Sequence, residues 1–348
     1  MESLYVIEPG CYLRREGAVL NICKGKAVVD RIPADGLKRL MLVGYVSLTG
    51  GVLDFLINRR VETVFITATG RFRARLGGDV HRHVQLRRAQ YLTLSGVGGP
   101  PVAAGIVSGK LENMARFLIS RGRRYDDEAL RIASARIRAI RHICDEGTSD
   151  LDRLRGLEGA GTRIYYGAFG GLIKNPDFRF TGRNKRPPLD PVNAMLSFVY
   201  TLLTNEVLSA VKAVGLDPYL GALHEISYGR PSLACDLVEE YRCLLGDRMV
   251  LGLVNRKMLS PGDFIYRKNP PDTFVDERDM KEKRPVEMKP PIMRTFIASY
   301  EEMMAREIYY PPDDCRTAYR QLIHRQAARF AEHLLEEGKP YKPFIMDH

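Results

Sequence analysis

Apolar positions along this chain keep two different periods. Up to about residue 77 they fall in short runs: Leu4-Tyr5-Val6-Ile7, Val19-Leu20-Asn21-Ile22, Ala27-Val28-Val29, Leu40-Met41-Leu42-Val43, Val64-Phe65-Ile66-Thr67 and Phe72-Arg73-Ala74-Arg75-Leu76. Gly10, Gly17, Gly25, Gly36, Gly44, Gly70 and Gly77 punctuate them. Short aliphatic and β-branched runs bounded by turn residues predict strands. One helix, residues 52–58, interrupts them. In the last strand Arg71, Arg73 and Arg75 alternate with Phe72 and Ala74. The three guanidinium groups therefore share one face, suited to solvent, to phosphate or to another subunit.

From about residue 80 the apolar period lengthens to three or four, which predicts helices. These cover residues 81–94, 102–121, 126–143, 151–169 and 191–214, then one from 232, a segment at 248–259, and two more at 292–309 and 313–337. The run Ser95-Gly96-Val97-Gly98-Gly99-Pro100-Pro101 is read as a break. The expected fold is α+β: a small β-rich domain, residues 1–88, followed by a larger all-α domain, residues 89–348. The segment 191–214 is apolar nearly all round, as a central core helix would be. Residues 126–143 place Arg131, Arg136, Arg138 and Arg141 beside Leu130, Ile132, Ile137 and Ile140. Such a basic amphipathic helix suits solvent or a phosphate backbone. Within 151–169, Gly156, Gly159 and Gly161 flank Glu158. Each glycine costs a helix about 1 kcal/mol relative to Ala, which points to close packing or close approach of a ligand. Residues 260–291 are rich in proline and charge and predict an irregular excursion. The tail YKPFIMDH is too short to fold alone, so it either packs on something or frays.

Length and charge narrow the function. With 348 residues the chain is long enough for two domains. Lys and Arg number 53 against 42 acids, a formal charge of +11, which favours a polyanionic partner. The loop 174–188 gathers Lys174, Arg179, Arg183, Lys185 and Arg186 around Phe178 and Phe180. Charge for phosphates and rings for bases suit a flexible nucleic-acid strand; a solvated loop is the other reading. No run of 18 apolar residues is present, so no membrane span is expected, and the start lacks a signal-peptide pattern. The six cysteines form no CxxC pair, so reduced, mostly buried thiols are expected.

The stretch richest in chemistry is HEISYGRPSLACDLVEEYR, residues 224–242. His224 precedes the turn Tyr228-Gly229-Arg230-Pro231, and proline suits the helix start that follows. Leu233, Leu237, Tyr241 and Leu244 form an apolar stripe. Asp236 and Glu239, three apart, are neighbours on another side. Carboxylates with an imidazole suit a divalent cation. An acid pair on an amphipathic helix also suits plain solvation.

Taken in order, LEG with RIYYGAF, RPPLDPVNAMLSFVYTLL, GLDPYLGALHE and RPSLACDLVEEYR span residues 151–242. Together they resemble the CRISPR adaptation integrase, the CRISPR-associated protein one family, and its two-domain plan extends the resemblance over essentially the whole chain. The resemblance implies a metal-dependent DNA endonuclease and integrase. Such an enzyme inserts short foreign DNA fragments, spacers, into the CRISPR array by attack of a 3′-hydroxyl on a phosphodiester. It implies Mg²⁺ or Mn²⁺ held by Glu158, His224 and Glu239, with Asp236 as a further catalytic position. Some members carry Asp where Glu239 stands, and the adjacent Glu240 is the rival for that role. The implied partners are double-stranded and branched DNA, a second copy of the chain joined through the β-rich front, the small CRISPR-associated protein two dimer and a CRISPR-associated exonuclease. The implied setting is the prokaryotic cytoplasm, with no membrane. Candidate DNA contacts are Lys174, Arg179, Arg183, Lys185, Arg186, Arg138, Arg141 and Arg242. The alternative is a catalytically silent nucleic-acid-binding scaffold of the same fold.

Overall fold

The computed structural model describes residues 2–76, 83–146, 150–184, 187–267, 285–336 and 339–346. They fall into two compact units. One is built from Met1–Asp79, Asn184–Thr201 and Pro261–Ser299, the other from Val80–Arg183, Leu202–Ser260 and Tyr300–His348. A single cut between residues 88 and 89 was the expectation from sequence; in the structure two later segments return to the first unit.

The first unit opens with β1 (Ser3–Val6), β2 (Tyr12–Glu16), β3 (Val19–Lys24), β4 (Ala27–Pro33), β5 (Arg39–Val43), β6 (Ser47–Leu48), helix α1 (Gly50–Asn58), β7 (Glu62–Ile66) and β8 (Phe72–Leu76). They form two four-stranded sheets, ordered β1-β5-β7-β8 and β4-β3-β2-β6. Central β5 runs parallel to β1 and β7, and β8 closes the sheet antiparallel to β7. Leu4, Val6, Leu13, Leu20, Leu40, Leu42, Val52 and Leu56 join in one apolar core. Strand β2 escaped the sequence pattern because, of its five residues, only Leu13 is buried. Two of the three alternating arginines turn to this unit itself. Arg75 pairs with Glu62, and the Arg73 guanidinium lies 5.7 Å from the Tyr45 ring centroid. Gly70 (φ +83°) is held to glycine by both conformation and space, since a Cβ there would lie 2.8 Å from Phe198 Cα. In the expected irregular excursion, β9 (Phe264–Tyr266) and β10 (Val286–Met288) pair antiparallel. Residues 268–284 lie outside the described residues.

The second unit is mostly helical: α2 (Val84–Leu94), α3 (Gly99–Arg124), α4 (Glu128–Asp145), α5 (Leu151–Phe169), the later part of α6 (Pro191–Val214), α7 (Ser232–Tyr241), a π-helical segment Arg242–Asp247, and α8 (Arg248–Asn255). The end of α9 (Pro290–Ala305), strands β11 (Glu307–Tyr310) and β12 (Cys315–Ala318), and α10 (Tyr319–Leu335) complete it. Pro100 and Pro101, expected to break the chain, lie in the first turn of α3. Proline is accommodated there because the first amides have no helical acceptor. The two final helices are shorter than expected, and the antiparallel pair β11–β12 takes up residues between them. Among the described residues of this unit helix dominates, with the short pair β11–β12 beside it. Helix α6 is apolar and long enough to cross a membrane by composition, but 78% of its most apolar window is buried. It is the core helix that its pattern predicted.

Helix α3 packs against α4, α5 and α7. Gly161 of α5 lies against the Leu111 side chain, which a Cβ there would oblige to shift. Gly156 and Gly159 differ, since nothing lies within 4 Å of where their Cβ atoms would stand. The tail packs inside its own unit. Asn113 Nδ2 donates to Phe344 O at 2.8 Å, and Met346 N donates to Asn113 Oδ1 at 3.3 Å.

Candidate active site

Three helices of the second unit bring charge to one buried place. Lys110 stands on the apolar stripe of α3 with Val107, Leu111 and Met114, and is only 4% exposed. A buried ammonium is tolerable only when paired. Here it contacts Glu158 of α5 and lies 2.6 Å from Oε2 of Glu239 on α7. Thr162, one turn along α5, donates its hydroxyl to Glu158 Oε1 at 3.0 Å. Arg242, where the π-helical segment begins, places Nη1 2.8 Å from Glu239 Oε1. Burial would raise the Glu239 carboxyl, but Arg242 and Lys110 outweigh it and bring the pKa down to about 2. For Lys110, burial alone would lower the ammonium, and the Glu239 and Glu158 carboxylates raise it above its usual value instead.

His224 is held by Asp236, on the same helix as Glu239. The Asp236 carboxylate is fully buried and gathers three consecutive backbone amides: Ala222 N at 2.6 Å, Leu223 N at 3.0 Å and His224 N at 3.0 Å. Its Oδ1 also lies 2.5 Å from His224 Nδ1. The loop is thus wound around one carboxylate. Gly221 permits the winding, since a Cβ there would lie 2.8 Å from the Ser232 carbonyl carbon and strike Asp236 as well. With Nδ1 facing a carboxylate, that nitrogen carries the proton and Nε2 remains for a ligand.

Glu240 points elsewhere. Its carboxylate is fully buried, accepts from the Tyr341 hydroxyl, and accepts from Phe344 N at 2.7 Å. Burial pushes this carboxyl up to about 8, against the opposing hydrogen bonds from Tyr341 and Phe344. It belongs to the packing of the tail.

The donor set of two carboxylates and an imidazole fits a hard divalent cation such as Mg²⁺ or Mn²⁺. Glu239 Oε2 supports that fit. It is buried, and its contact with Lys110 is an ion pair without hydrogen-bond geometry. Among the described residues, no three His, Cys, Asp or Glu side chains already close a metal cage. An ammonium bridges Glu158 and Glu239 instead.

The candidate DNA contacts divide. Arg138, Lys174 and Arg179 are exposed, with Lys174 Nζ 4.6 Å from the Tyr125 ring centroid. Arg183 is half-buried. Arg141 is engaged by Glu112 and Asp145, and Arg242 by Glu239. Lys185 and Arg186 lie outside the described residues. The interleaved rings do not present themselves to bases: Phe178 is buried, and Phe180 packs 4.9 Å from Phe169 and 6.2 Å from Tyr166. Lys110 and Asn113 were missed from sequence. The available signal was a lysine on the apolar stripe of a helix, a position a solvated lysine would not take.

The family described as CRISPR associated protein Cas1 matches residues 4–283. The chain is 35% identical over 352 residues to CRISPR-associated endonuclease Cas1 1 of Chlorobaculum tepidum, covering 99% of this chain and 98% of that one. It is 33% identical over 354 residues to CRISPR-associated endonuclease Cas1 2 of Rhodospirillum rubrum, again covering 99% and 98%. Among solved structures, a Cas1 protein from Thermotoga maritima superposes with a TM-score of 0.78 at 24% identity, covering 100% of both chains. A casposase bound to integration product gives a TM-score of 0.78 at 20% identity, covering 100% of this chain and 96% of that one. At these identities the structural likeness concerns the fold.

Proposed function

Because this chain belongs to the CRISPR-associated Cas1 family, whose curated relatives are named endonucleases, we propose that it is a metal-dependent DNA endonuclease and integrase of CRISPR adaptation. The observation that carries this reading is that Glu158 and Glu239, far apart in sequence, face the same buried cation. Glu158, Glu239 and Nε2 of His224 would hold Mg²⁺ or Mn²⁺. When bound, such an ion relieves charge on phosphoryl oxygens and lowers the pKa of an attacking hydroxyl. The other roles belong to the chain itself. Asp236 fixes the tautomer and direction of His224. Arg242 keeps Glu239 ionised and aims it. Open space beside Gly156 and Gly159 lets a sugar–phosphate backbone approach the Glu158 turn of α5. Exposed Arg138, Lys174 and Arg179 supply phosphate contacts. The reaction is exchange of one phosphodiester for another, with a DNA 3′-hydroxyl as nucleophile, or water in simple cleavage.

A homodimer built through the β-rich front, with a small Cas2 dimer, completes the proposed assembly. A fold relative is described as part of a Cas6-RT-Cas1–Cas2 complex, and a Geobacter sulfurreducens relative is a Cas4 exonuclease/Cas1 fusion. These descriptions support Cas2 and a Cas4-type exonuclease as partners. The test is strand transfer and cleavage of branched DNA in Mn²⁺ by wild type, Glu158→Gln and His224→Ala. Both variants should lose both reactions and still bind DNA. Activity retained in either variant would refute the site.

A further inference from the structure

Lys110 is the unexpected member of the site. Its ammonium is buried, and its partners are the two carboxylates assigned above to a divalent ion. With Arg242 on Glu239, two formal positive charges already balance the two acids before any metal arrives. A divalent ion seated between those oxygens would meet the ammonium at ion-pair distance, inside a unit where Coulomb repulsion is weakly screened. The two cations therefore exclude each other from that position. We propose that Lys110 is a resident counter-ion, which holds the acid pair together in the metal-free protein and competes with the divalent ion for it. This rests on the metal-site reading above. Occupancy by metal then requires the ammonium to leave its carboxylates, and a DNA phosphodiester is an anion suited to receive it. Metal and DNA should accordingly favour each other's binding, a reciprocal coupling.

The experiment titrates MnCl₂ into the DNA-free full chain by calorimetry and reads melting temperature in EDTA and in Mn²⁺. Lys110→Met should bind Mn²⁺ at least about tenfold more tightly than wild type, since a competing charge is gone. Its melting temperature should fall in EDTA and rise more on Mn²⁺ addition than that of wild type. Lys110→Arg, which keeps a cation, should bind no more tightly than wild type. Equal or weaker Mn²⁺ affinity in Lys110→Met, with binding abolished in Glu239→Gln, would leave the metal site standing and overturn the competition. Unchanged Mn²⁺ binding in Glu239→Gln would overturn the site reading and the inference with it. If Lys110→Met does not fold in EDTA, Lys110→Gln is titrated in its place and judged by the same affinities.

Discussion

Two sides of helix α7 carry neighbouring glutamates with opposite fates. Glu239 looks toward Lys110 and Arg242 and is held ionised, at about 2. Glu240, the next residue, looks toward Tyr341 and Phe344, and burial without a cation pushes it up to about 8. Both are buried and both are Glu, so burial alone does not decide the charge state. The partner decides it: a cation keeps a buried carboxylate ionised, the form a metal ion would need, and a hydroxyl with an amide makes it a structural post. The choice between Glu239 and Glu240, open from helix geometry, is weighted toward Glu239 by this difference.

The largest expected effect tests that asymmetry. Glu239→Gln should lower Mn²⁺-dependent strand transfer by about a thousandfold or more, because the ion's contribution is worth several kcal/mol. Glu240→Gln keeps the shape and an acceptor, and should retain most activity in the same assay. The reverse pattern would move the ligand one residue along the helix. Next in size is the structural side. Phe344 is buried between the Tyr241 and Tyr310 rings. Phe344→Ala should cost about 3–5 kcal/mol of stability in denaturant unfolding, while Mn²⁺ stoichiometry of the folded fraction stays at the wild-type value. Third, Asp236→Asn keeps the side-chain volume but turns a donor either toward the Ala222 and Leu223 amides or toward the His224 amide and Nδ1. Activity or metal affinity should fall about 10–100-fold, with DNA affinity unchanged in a binding titration.

The last effect concerns pH. Glu240 binds its proton more tightly folded than unfolded, so the stability it contributes is complete below the unfolded value of about 4.3 and is lost as pH rises through about 8. Wild-type melting temperature should therefore decline across that window more than that of Glu240→Gln. Parallel curves for the two proteins would remove the distinction between the sides of α7.

Periodicity made helices α5, α6 and α7 legible, since each keeps its apolar stripe over many residues. The start of α7 after Pro231 was legible from proline geometry alone. Strands β9 to β12 were not, because three or four residues do not establish a period. The loop around Asp236 was hidden for another reason: its hydrogen bonds use backbone amides, which every residue carries. Lys110 was hidden in plain sequence. Its partners, Glu158 and Glu239, are brought to it by the packing of α5 and α7 on α3, which no local pattern encodes.

The docking of Tyr341 and Phe344 on α7 also sets a schedule for making this protein. While the chain is being synthesised, Glu240 emerges 104 residues before Phe344, an interval of roughly 5–20 s at ordinary elongation rates. Asn113 waits longer still, for a partner 231 residues on. During that time the Glu240 carboxyl lacks the Tyr341 hydroxyl and the Phe344 amide that meet it in the folded protein. The packing of this side of α7 is therefore completed only after the tail has been made.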